Sequence, residues 1–270
     1  MAVSVEFLKA DDGARTGRAW LLPCADGAAS AGLRPRLRRE YEGASEWLSV
    51  YGVGDPRYGA ARDAHLATGR PVALWDVGYL GKSREVSETH VRVSLGADHP
   101  SPELMERTKP DPSRWDRLGL AMREDWRHDG HVLVVGLGAK SRKYLGEYGW
   151  ERGALESAAR RFPGRRIVYR PKPSARGEPD PVGWPDVSVG TTVQQALKGA
   201  SLVVCRHSNV AVDACIAGVP VECEGGAARW LYARGAQPTE AERLDFLRRL
   251  CWWQWRFREM GEAWKFLLKV

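Results

Sequence analysis

One stretch of the chain decides its fold: Leu202–Cys223, which reads LVVCRHSNVAVDACIAGVPVEC. A short apolar run is followed by the polar cluster Arg206–Asn209 and then by apolar residues at helical spacing. Gly218 and Pro220 predict the end of that helix, and a second apolar run follows. The pattern predicts a strand, a helix and a strand. In such a unit the helix begins at the end of a buried strand, where its N–H groups and dipole favour an anion such as phosphate.

The length and composition of the chain predict a globular protein with two domains. Its 270 residues are too many for one small core, and hydrophobic residues make up 43% of them. No apolar run reaches the length of a membrane-spanning helix, and the N-terminal residues show no basic region followed by an apolar stretch. We therefore expect a soluble, cytoplasmic protein without a membrane partner.

The five cysteines favour reduced thiols inside the protein. They lie mostly within apolar runs, form no CxxC pair and are odd in number, which argues against a disulfide framework. We interpret them as small core hydrophobes rather than metal ligands or nucleophiles. They are Cys24, Cys205, Cys215, Cys223 and Cys251.

The net charge of +7 favours a polyanionic partner. Charge alone does not decide, because an arginine-rich, lysine-poor composition also arises from a GC-rich genome. The clearest basic segment is RPRLRR, and two interpretations of it stay open: a solvated surface loop, or a segment that contacts the phosphate backbone of a nucleic acid. Its arginines are Arg34, Arg36, Arg38 and Arg39.

The first half of the chain alternates strands and helices in the order of a parallel α/β sheet. Helix Tyr58–Thr68 separates two strand candidates, and Asp76 comes directly after the second one. Ligands of parallel sheets gather at the carboxyl ends of strands, so Asp76 is a candidate site residue. Residues 101–129 are rich in proline and charge, which predicts irregular structure and a first domain that ends at residue 128. The strand candidates are Ala2–Leu8, Trp47–Val53, Val72–Trp75 and Val91–Leu95.

A second alternating series predicts another parallel sheet over residues 129–237. Helix Glu151–Arg161 connects two strands, and the stretch quoted above supplies the last two. Residues 238–270 are helical with apolar residues on more than one face, and Gly261 predicts a kink or break. We interpret the tryptophans interleaved with arginines in this region as packing rather than as a stack for nucleic-acid bases.

Three loops of the second half follow strands and are expected to meet at one edge of the sheet. Glycines let a ligand approach the backbone closely, and lysine and arginine side chains pair with a diphosphate. The two glycines lack the third one of a dinucleotide fingerprint, so the prediction depends on the convergence of the loops. The candidate residues are Gly136, Gly138, Lys140, Arg170, Lys172, His207, Ser208 and Asn209.

The helix that follows these polar residues sharpens the prediction. Ser208 or Asn209 would cap it and leave backbone N–H groups for phosphate. Asp213, one turn later, would accept hydrogen bonds from ribose hydroxyls. The alternative is a structural cap with an aspartate that only complements the helix dipole.

The segment HSNVAVDACIAGVP resembles the donor-binding segment of nucleotide-sugar enzymes with the glycosyltransferase B (GT-B) fold, including the non-hydrolysing UDP-N-acetylglucosamine 2-epimerases. Aspartate replaces the more usual glutamate, and a polar and a branched residue replace the two small residues after the serine. The resemblance implies two Rossmann-like domains, a final helix over 238–270 that crosses back to the first domain, and a UDP-sugar donor without a cofactor. The matching residues are Ser208, Asp213, Gly218 and Pro220.

The first domain resembles small bacteriophage glycosyltransferase-like proteins. The likeness consists of an Asp-x-Gly-Tyr segment that starts at Asp76 and the Arg-Val-Ser segment Arg92–Ser94. It implies a DNA-modifying glycosyltransferase with a hydroxymethylated pyrimidine as acceptor, in the host-cell cytoplasm if a phage encodes the chain. Inverting transfer requires a base for the acceptor hydroxyl, while cations stabilise the leaving diphosphate without a metal. The candidate bases, in order, are Asp76, Asp98 and His99.

Two other functions stay open at this point. One is a nucleotide-sugar epimerase or a transferase with a carbohydrate acceptor, although the epimerases need more acid and base residues around the sugar than the sequence offers. The other is a nucleic-acid-binding protein that keeps the fold without catalysis. Titration with UDP separates the latter from the enzymes, and salt-dependent binding to duplex DNA separates the two kinds of acceptor.

Overall fold

The chain folds into two compact units, each built on its own sheet. Unit 1 comprises Met1–Leu118 with Arg248–Val270, and unit 2 comprises Gly119–Leu247. Both are α/β units with mostly parallel sheets, which confirms the predicted fold class. The computed structural model describes residues 2–8, 15–52, 56–81, 85, 88–138, 141–142, 146, 149–172, 183–233 and 237–270.

Unit 1 contains a six-stranded sheet. Its strands are β1 (Ser4–Leu8), β2 (Arg34–Arg38), β3 (Trp47–Tyr51), β4 (Val72–Val77), β5 (His90–Leu95) and β10 (Gln254–Arg256). They lie in the order β10-β5-β4-β3-β1-β2, and the first four strands of the chain run parallel. By contrast, β5 is antiparallel to β4, and β10 is antiparallel to β5. The helices are α1 (Arg15–Ser30), α2 (Pro56–Leu66), α3 (Pro102–Arg107), α4 (Pro112–Asp116) and α10 (Met260–Leu267).

Helices α1 and α10 pack together around buried tryptophans. Trp264 donates its indole N–H to the backbone oxygen of Cys24 (3.0 Å), and its ring centroid lies 5.9 Å from that of Trp75. Gly27 permits this approach, because a Cβ there would lie 2.4 Å from the Cβ of Met260. Burial of a large apolar side chain stabilises a fold by about 1.5–3 kcal/mol. The C-terminal helix α10 is therefore part of the core of unit 1.

Three expectations about unit 1 are wrong. The RPRLRR segment is not a loop but contains the edge strand β2, where Pro35 is tolerated because one side of an edge strand is not paired. Residues 101–129 are not irregular throughout, since they include α3 and α4. The C-terminal region breaks over residues 251–259, which form β10 and two short turns, whereas Gly261 lies within α10.

Unit 2 contains a four-stranded sheet in which all strands are parallel. The strands are β6 (His131–Val135), β7 (Ile167–Arg170), β8 (Ala200–Cys205) and β9 (Val221–Cys223), in the order β7-β6-β8-β9. The helices are α5 (Trp150–Arg161), α6 (Val193–Leu197), α7 (Val210–Ala217), α8 (Arg229–Tyr232) and α9 (Glu240–Leu250). The predicted strand, helix and strand are β8, α7 and β9. Gly218 ends α7 in the left-handed conformation (φ 72°), as its position predicted.

The cysteines are free thiols, and four of the five are buried. Burial raises the pKa of Cys205, Cys215 and Cys251 to about 12. A buried thiol of such high pKa stays neutral near pH 7 and acts as a small hydrophobe, which agrees with their interpretation as core residues.

The described part of the chain holds no helix that is both long and apolar enough to cross a membrane. The division between the units falls at Leu118, and the expected first domain extended to residue 128. Helix α9 spans the second division between the units, because unit 2 ends at Leu247 and unit 1 resumes at Arg248.

Candidate functional site

The carboxyl ends of the parallel strands form one edge of the unit 2 sheet. Val135 at the end of β6 pairs with Arg170 of β7 and with Cys205 of β8. Cys205 pairs in turn with Cys223 of β9. The loops that follow therefore start side by side, and the direction of winding reverses between β6 and β8. Ligands of open parallel sheets bind at such a switch point, so the three loops predicted from the sequence do converge there.

The loop after β6 lies against residues of β7 and of the loop that follows it. A Cβ on Gly136 would lie 2.5 Å from the hydroxyl oxygen of the buried Tyr169, so glycine is required there unless that ring moves. A Cβ on Gly138 would lie 3.1 Å from Cδ and 3.5 Å from Nζ of Lys172. The Lys172 ammonium thus lies over the backbone of Gly138, where it can pair with an anion. Lys140, also predicted here, lies outside the described residues.

Arg170 is fixed by the segment that precedes α6. Its Nη1 donates to the hydroxyls of Ser188 (3.2 Å) and Thr191 (3.0 Å), and its Nη2 donates to the backbone oxygen of Thr191 (2.9 Å). Burial lowers the pKa of the guanidinium, and the carboxylate of Asp213 opposes that shift. Arginine nevertheless stays charged near pH 7. The end of β7 therefore carries a rigidly held positive charge within electrostatic reach of Asp213.

The N-terminus of α7 lies at the same edge of the sheet. Ser208 Oγ accepts the N–H of Val210 (3.2 Å), so Ser208 rather than Asn209 supplies the side-chain cap. The N–H groups of Ala211 and Val212 already bond to the backbone oxygens of Ser208 and Asn209. These N–H groups are therefore already used, and the first turn of α7 attracts an anion mainly through the helix dipole. Binding of an anion at this edge depends more on the nearby cationic side chains.

A fourth loop at this edge was not predicted. The N–H of Gly225 bonds to the backbone oxygen of Arg206 (2.7 Å), which joins the loops after β8 and β9. The Arg206 guanidinium pairs with Glu224 (3.0 Å). Gly226 has a φ of 87°, and a Cβ there would lie 3.3 Å from the backbone carbon of His207. The available signal was the Glu-Gly-Gly sequence directly after the last apolar run.

Glu151 is a second residue that the sequence reasoning missed. It is buried at the start of α5, where Oε1 accepts the N–H of Leu137 (3.1 Å) and the Nε of Arg142 (2.8 Å). It thereby fixes the loop after β6, including Gly136 and Gly138. Only an acidic residue in the first turn of a predicted helix pointed to it.

A polar row crosses three strands of unit 1 at the carboxyl end of β4. Asp76, Arg92 and Gln254 are in register on β4, β5 and β10. The Nη2 of Arg92 lies 3.2 Å from Oδ2 of Asp76. Gln254 Oε1 accepts the N–H groups of Tyr79 (2.9 Å) and Leu80 (2.8 Å). These contacts hold the segment after β4 over the row, and the side chain of Asp76 stays 33% exposed and accessible.

Asp98 and His99 follow β5, which is antiparallel, and therefore leave the sheet at the amino end of β4 rather than beside Asp76. The Tyr79 side chain links the two regions: its hydroxyl lies 3.1 Å from Nδ1 of His99, and the Arg92 guanidinium lies 5.4 Å from its ring centroid. Burial raises the pKa of Tyr79, so its hydroxyl stays protonated. Asp98 lies 3.8 Å from Arg62 of α2.

Comparisons with solved structures identify the fold. KpsC from Thermosulfurimonas dismutans, a beta Kdo 2,4 transferase, matches with a TM-score of 0.54 and 13% identity over 91% of this chain and 90% of that chain. The beta Kdo 2,7 transferase of the same protein matches with a TM-score of 0.54 and 14% identity over 99% and 100%. The fold is of the GT-B type. Neither a protein-family model nor a curated protein sequence matches the chain.

At this level of identity the likeness carries the fold alone. It accounts for two Rossmann-like units, of which unit 2 contributes the switch point described above. The resemblances to 2-epimerases and to phage DNA-modifying enzymes stay predictions.

The arginines predicted to contact nucleic acid lie on or next to the edge strand β2. Two of them have partners within unit 1: Arg34 Nε donates to the backbone oxygen of Ala2 (2.9 Å), and Arg38 Nε lies 2.7 Å from Glu42. Arg39 is exposed and Arg36 is half-buried. Charged side chains on an edge strand also prevent pairing with other chains, so the pattern has a structural explanation as well.

Proposed function

We propose that the chain is a glycosyltransferase that moves a sugar from a nucleotide-sugar donor to a hydroxyl acceptor. UDP-sugars are the first choice of donor. The observation that carries this proposal is the convergence of four strand-end loops at the switch point of unit 2 in a GT-B fold. A fold of this type by itself serves many functions, so the proposal depends on the residues at that edge.

The donor roles follow from charge and position. Lys172 and Arg170 supply positive charge for the diphosphate, and the dipole of α7 adds to it. Negative charge grows on the diphosphate as the sugar leaves, so fixed cations lower the barrier without a metal. Asp213 on the first turn of α7 accepts the ribose hydroxyls, because an ionised carboxylate only accepts hydrogen bonds.

Asp76 is the proposed base in unit 1. Its carboxylate lies at the carboxyl end of a parallel strand, is partly exposed and is held by Arg92 at 3.2 Å. A base must reach the acceptor hydroxyl from a fixed position, which the Arg92 contact and the Gln254 contacts to the following segment provide. His99 and Asp98 follow as alternatives.

Charge does not select between the two candidate acceptors, a carbohydrate and DNA. Residues 1–118 hold equal numbers of acidic and basic side chains, but Arg248–Val270, which also belongs to unit 1, adds six basic side chains against two acidic ones. DNA that contains a hydroxymethylated pyrimidine is the second candidate, and the exposed part of the β2 arginine segment is the observation that favours it.

Calorimetric titration with UDP tests the donor half. We expect Asp213→Ala to weaken UDP binding about 10- to 100-fold, since a hydrogen bond to a charged group contributes about 1.5–3 kcal/mol. The control is Glu156→Ala on the exposed face of α5, which should bind like the wild type. If neither UDP nor another nucleoside diphosphate binds, the donor assignment fails.

Transfer assays test the acceptor half. Asp76→Asn should abolish transfer and leave UDP binding within about twofold of the wild type, because it removes the base without touching unit 2. Normal turnover by this variant would exclude Asp76 as the base. Transfer to hydroxymethylated DNA that weakens steeply with salt, with no transfer to oligosaccharides, would select the second acceptor.

A further inference from the structure

A groove of about 760 Å³ runs along β9 in unit 2 and reaches Glu224 in the strand-end loop that follows it. One wall is α5, the floor includes Val204 and Glu222 of β8 and β9, and the other wall is α8 with Arg229 and Tyr232. Its volume is within the range of about 300–1,000 Å³ that is typical of ligand sites. Because α5 spans the length of the strands, the groove extends from Trp150 at the carboxyl edge to Arg161 at the opposite end of the helix.

The groove exists because α5 presents small side chains to it. Gly153, Ala154 and Ser157 line that wall, and a Cβ built on Gly153 meets no atom within 4 Å. Glycine within a helix is unfavourable relative to alanine. Gly153 therefore keeps the groove open and makes α5 less stable than alanine would. Close packing does not explain the glycine, because no atom lies near its missing side chain.

The charges in the groove are balanced, and three of the four charged side chains named below have side-chain partners. Among the described residues its lining carries two carboxylates, of Glu222 and Glu224, and two guanidinium groups, of Arg161 and Arg229. Arg161 donates two hydrogen bonds to Glu222, from Nη1 to Oε2 (2.7 Å) and from Nη2 to Oε1 (2.5 Å). Trp150 donates its indole N–H to Glu224 (2.6 Å), which fixes the ring at the carboxyl end of the groove.

This balance disfavours a polyphosphate, which needs an excess of positive charge. A pyranose ring matches it better. Its C–H face packs on a fixed aromatic ring, and its hydroxyls are both donors and acceptors, so they can bond to carboxylates and guanidinium groups at once.

We propose that this groove binds a neutral oligosaccharide. Trp150 packs against one sugar ring, and the Glu222–Arg161 pair and Arg229 bond to hydroxyls further along the chain. The site depends on the lining of unit 2 alone and does not require the proposed transferase activity. If the chain is a glycosyltransferase, the groove holds a glycan beside the donor loops.

The test fills the groove from α5. Gly153→Phe and Ser157→Phe place a large ring on the lining wall, and Gly153→Ala is the matched control that changes the same position with almost no volume. The helical position and the open space around Gly153 predict that both of its variants fold. Melting temperatures equal to or above that of the wild type will verify this.

Binding is measured by saturation-transfer NMR and calorimetry with a panel of neutral oligosaccharides that includes maltotriose, chitotriose and mannotriose. We expect at least one to bind the wild type and Gly153→Ala equally, and to bind both phenylalanine variants at least tenfold more weakly. UDP should bind all four proteins alike if it uses the strand-end loops.

Three results would overturn the proposal. The first is that no oligosaccharide of the panel binds. The second is that the folded phenylalanine variants bind oligosaccharides as tightly as the wild type does. The third is that the phenylalanine variants lose binding to UDP and to no other ligand. The last result would make the groove a nucleotide site, whereas a failure of UDP to bind any of the four proteins would concern the proposed transferase function alone.

Discussion

Replacing Glu151 with glutamine removes the charge that anchors the loop after β6. The carboxylate is buried and bonds to the Leu137 N–H and to two nitrogens of Arg142, at 2.8 and 2.7 Å. Loss of one partner of a buried ion pair costs about 3–5 kcal/mol, and a single hydrogen bond to a charged group contributes about 1.5–3 kcal/mol. Glutamine keeps an acceptor, and the Arg142 side chain is 19% exposed and can be partly hydrated. We therefore expect a loss of about 2–3 kcal/mol.

Urea unfolding followed by tryptophan fluorescence measures this loss in unit 2, together with the melting temperature. A loss of this size corresponds to a decrease of roughly 4–12 °C, at about 2–4 °C per kcal/mol. UDP affinity should fall as well, because Gly136 and Gly138 belong to the released loop. Glu156→Gln on the exposed face of the same helix is the control and should change stability by less than about 0.5 kcal/mol.

A double-mutant cycle with Arg142→Met separates the ion pair from the backbone contact. If Glu151→Gln is as stable as Glu156→Gln, or if the cycle shows no coupling between Glu151 and Arg142, then the carboxylate does not anchor the loop.

Three further predictions concern single contacts. Lys172→Met should weaken UDP binding about tenfold or more and change the melting temperature little, since the residue is exposed; calorimetry checks the affinity, and unchanged affinity would remove Lys172 from the proposed donor site. Gln254→Ala leaves the N–H groups of Tyr79 and Leu80 without their acceptor and should cost about 2–4 kcal/mol in urea unfolding, whereas Gln254→Glu retains the acceptor and should recover part of the loss. Burial raises the pKa of the Cys205, Cys215 and Cys251 thiols to about 12. The stability that these neutral thiols contribute is therefore fully present below their pKa in the unfolded chain, about 8.5, and is lost as the pH rises from there toward 12. The free energy of unfolding should therefore fall between pH 8 and 11, and a constant value would contradict the burial of these thiols.

The sequence by itself determined the part of the fold that depends on neighbouring residues. The apolar run, polar cluster, helical spacing and Gly-x-Pro of Leu202–Cys223 predicted β8, α7 and β9, because each signal acts over a few residues. The start of the three predicted loops at one edge of the unit 2 sheet followed from the same reasoning, since parallel strands joined by helices end at one edge.

Only the tertiary structure decided which distant segments pair. Periodicity marked β5 as a strand but carried no information on its direction, so Asp98 and His99 were not separated from Asp76. The sequence predicted a helix around β10, because the spacing of its aromatic residues fits both the period of a helix and that of a strand. Pairing with β5 makes this segment a strand. The contacts of Gln254 with Tyr79 and Leu80 join residues about 175 positions apart. Such contacts arise from packing over the whole unit, which local propensity and spacing do not specify.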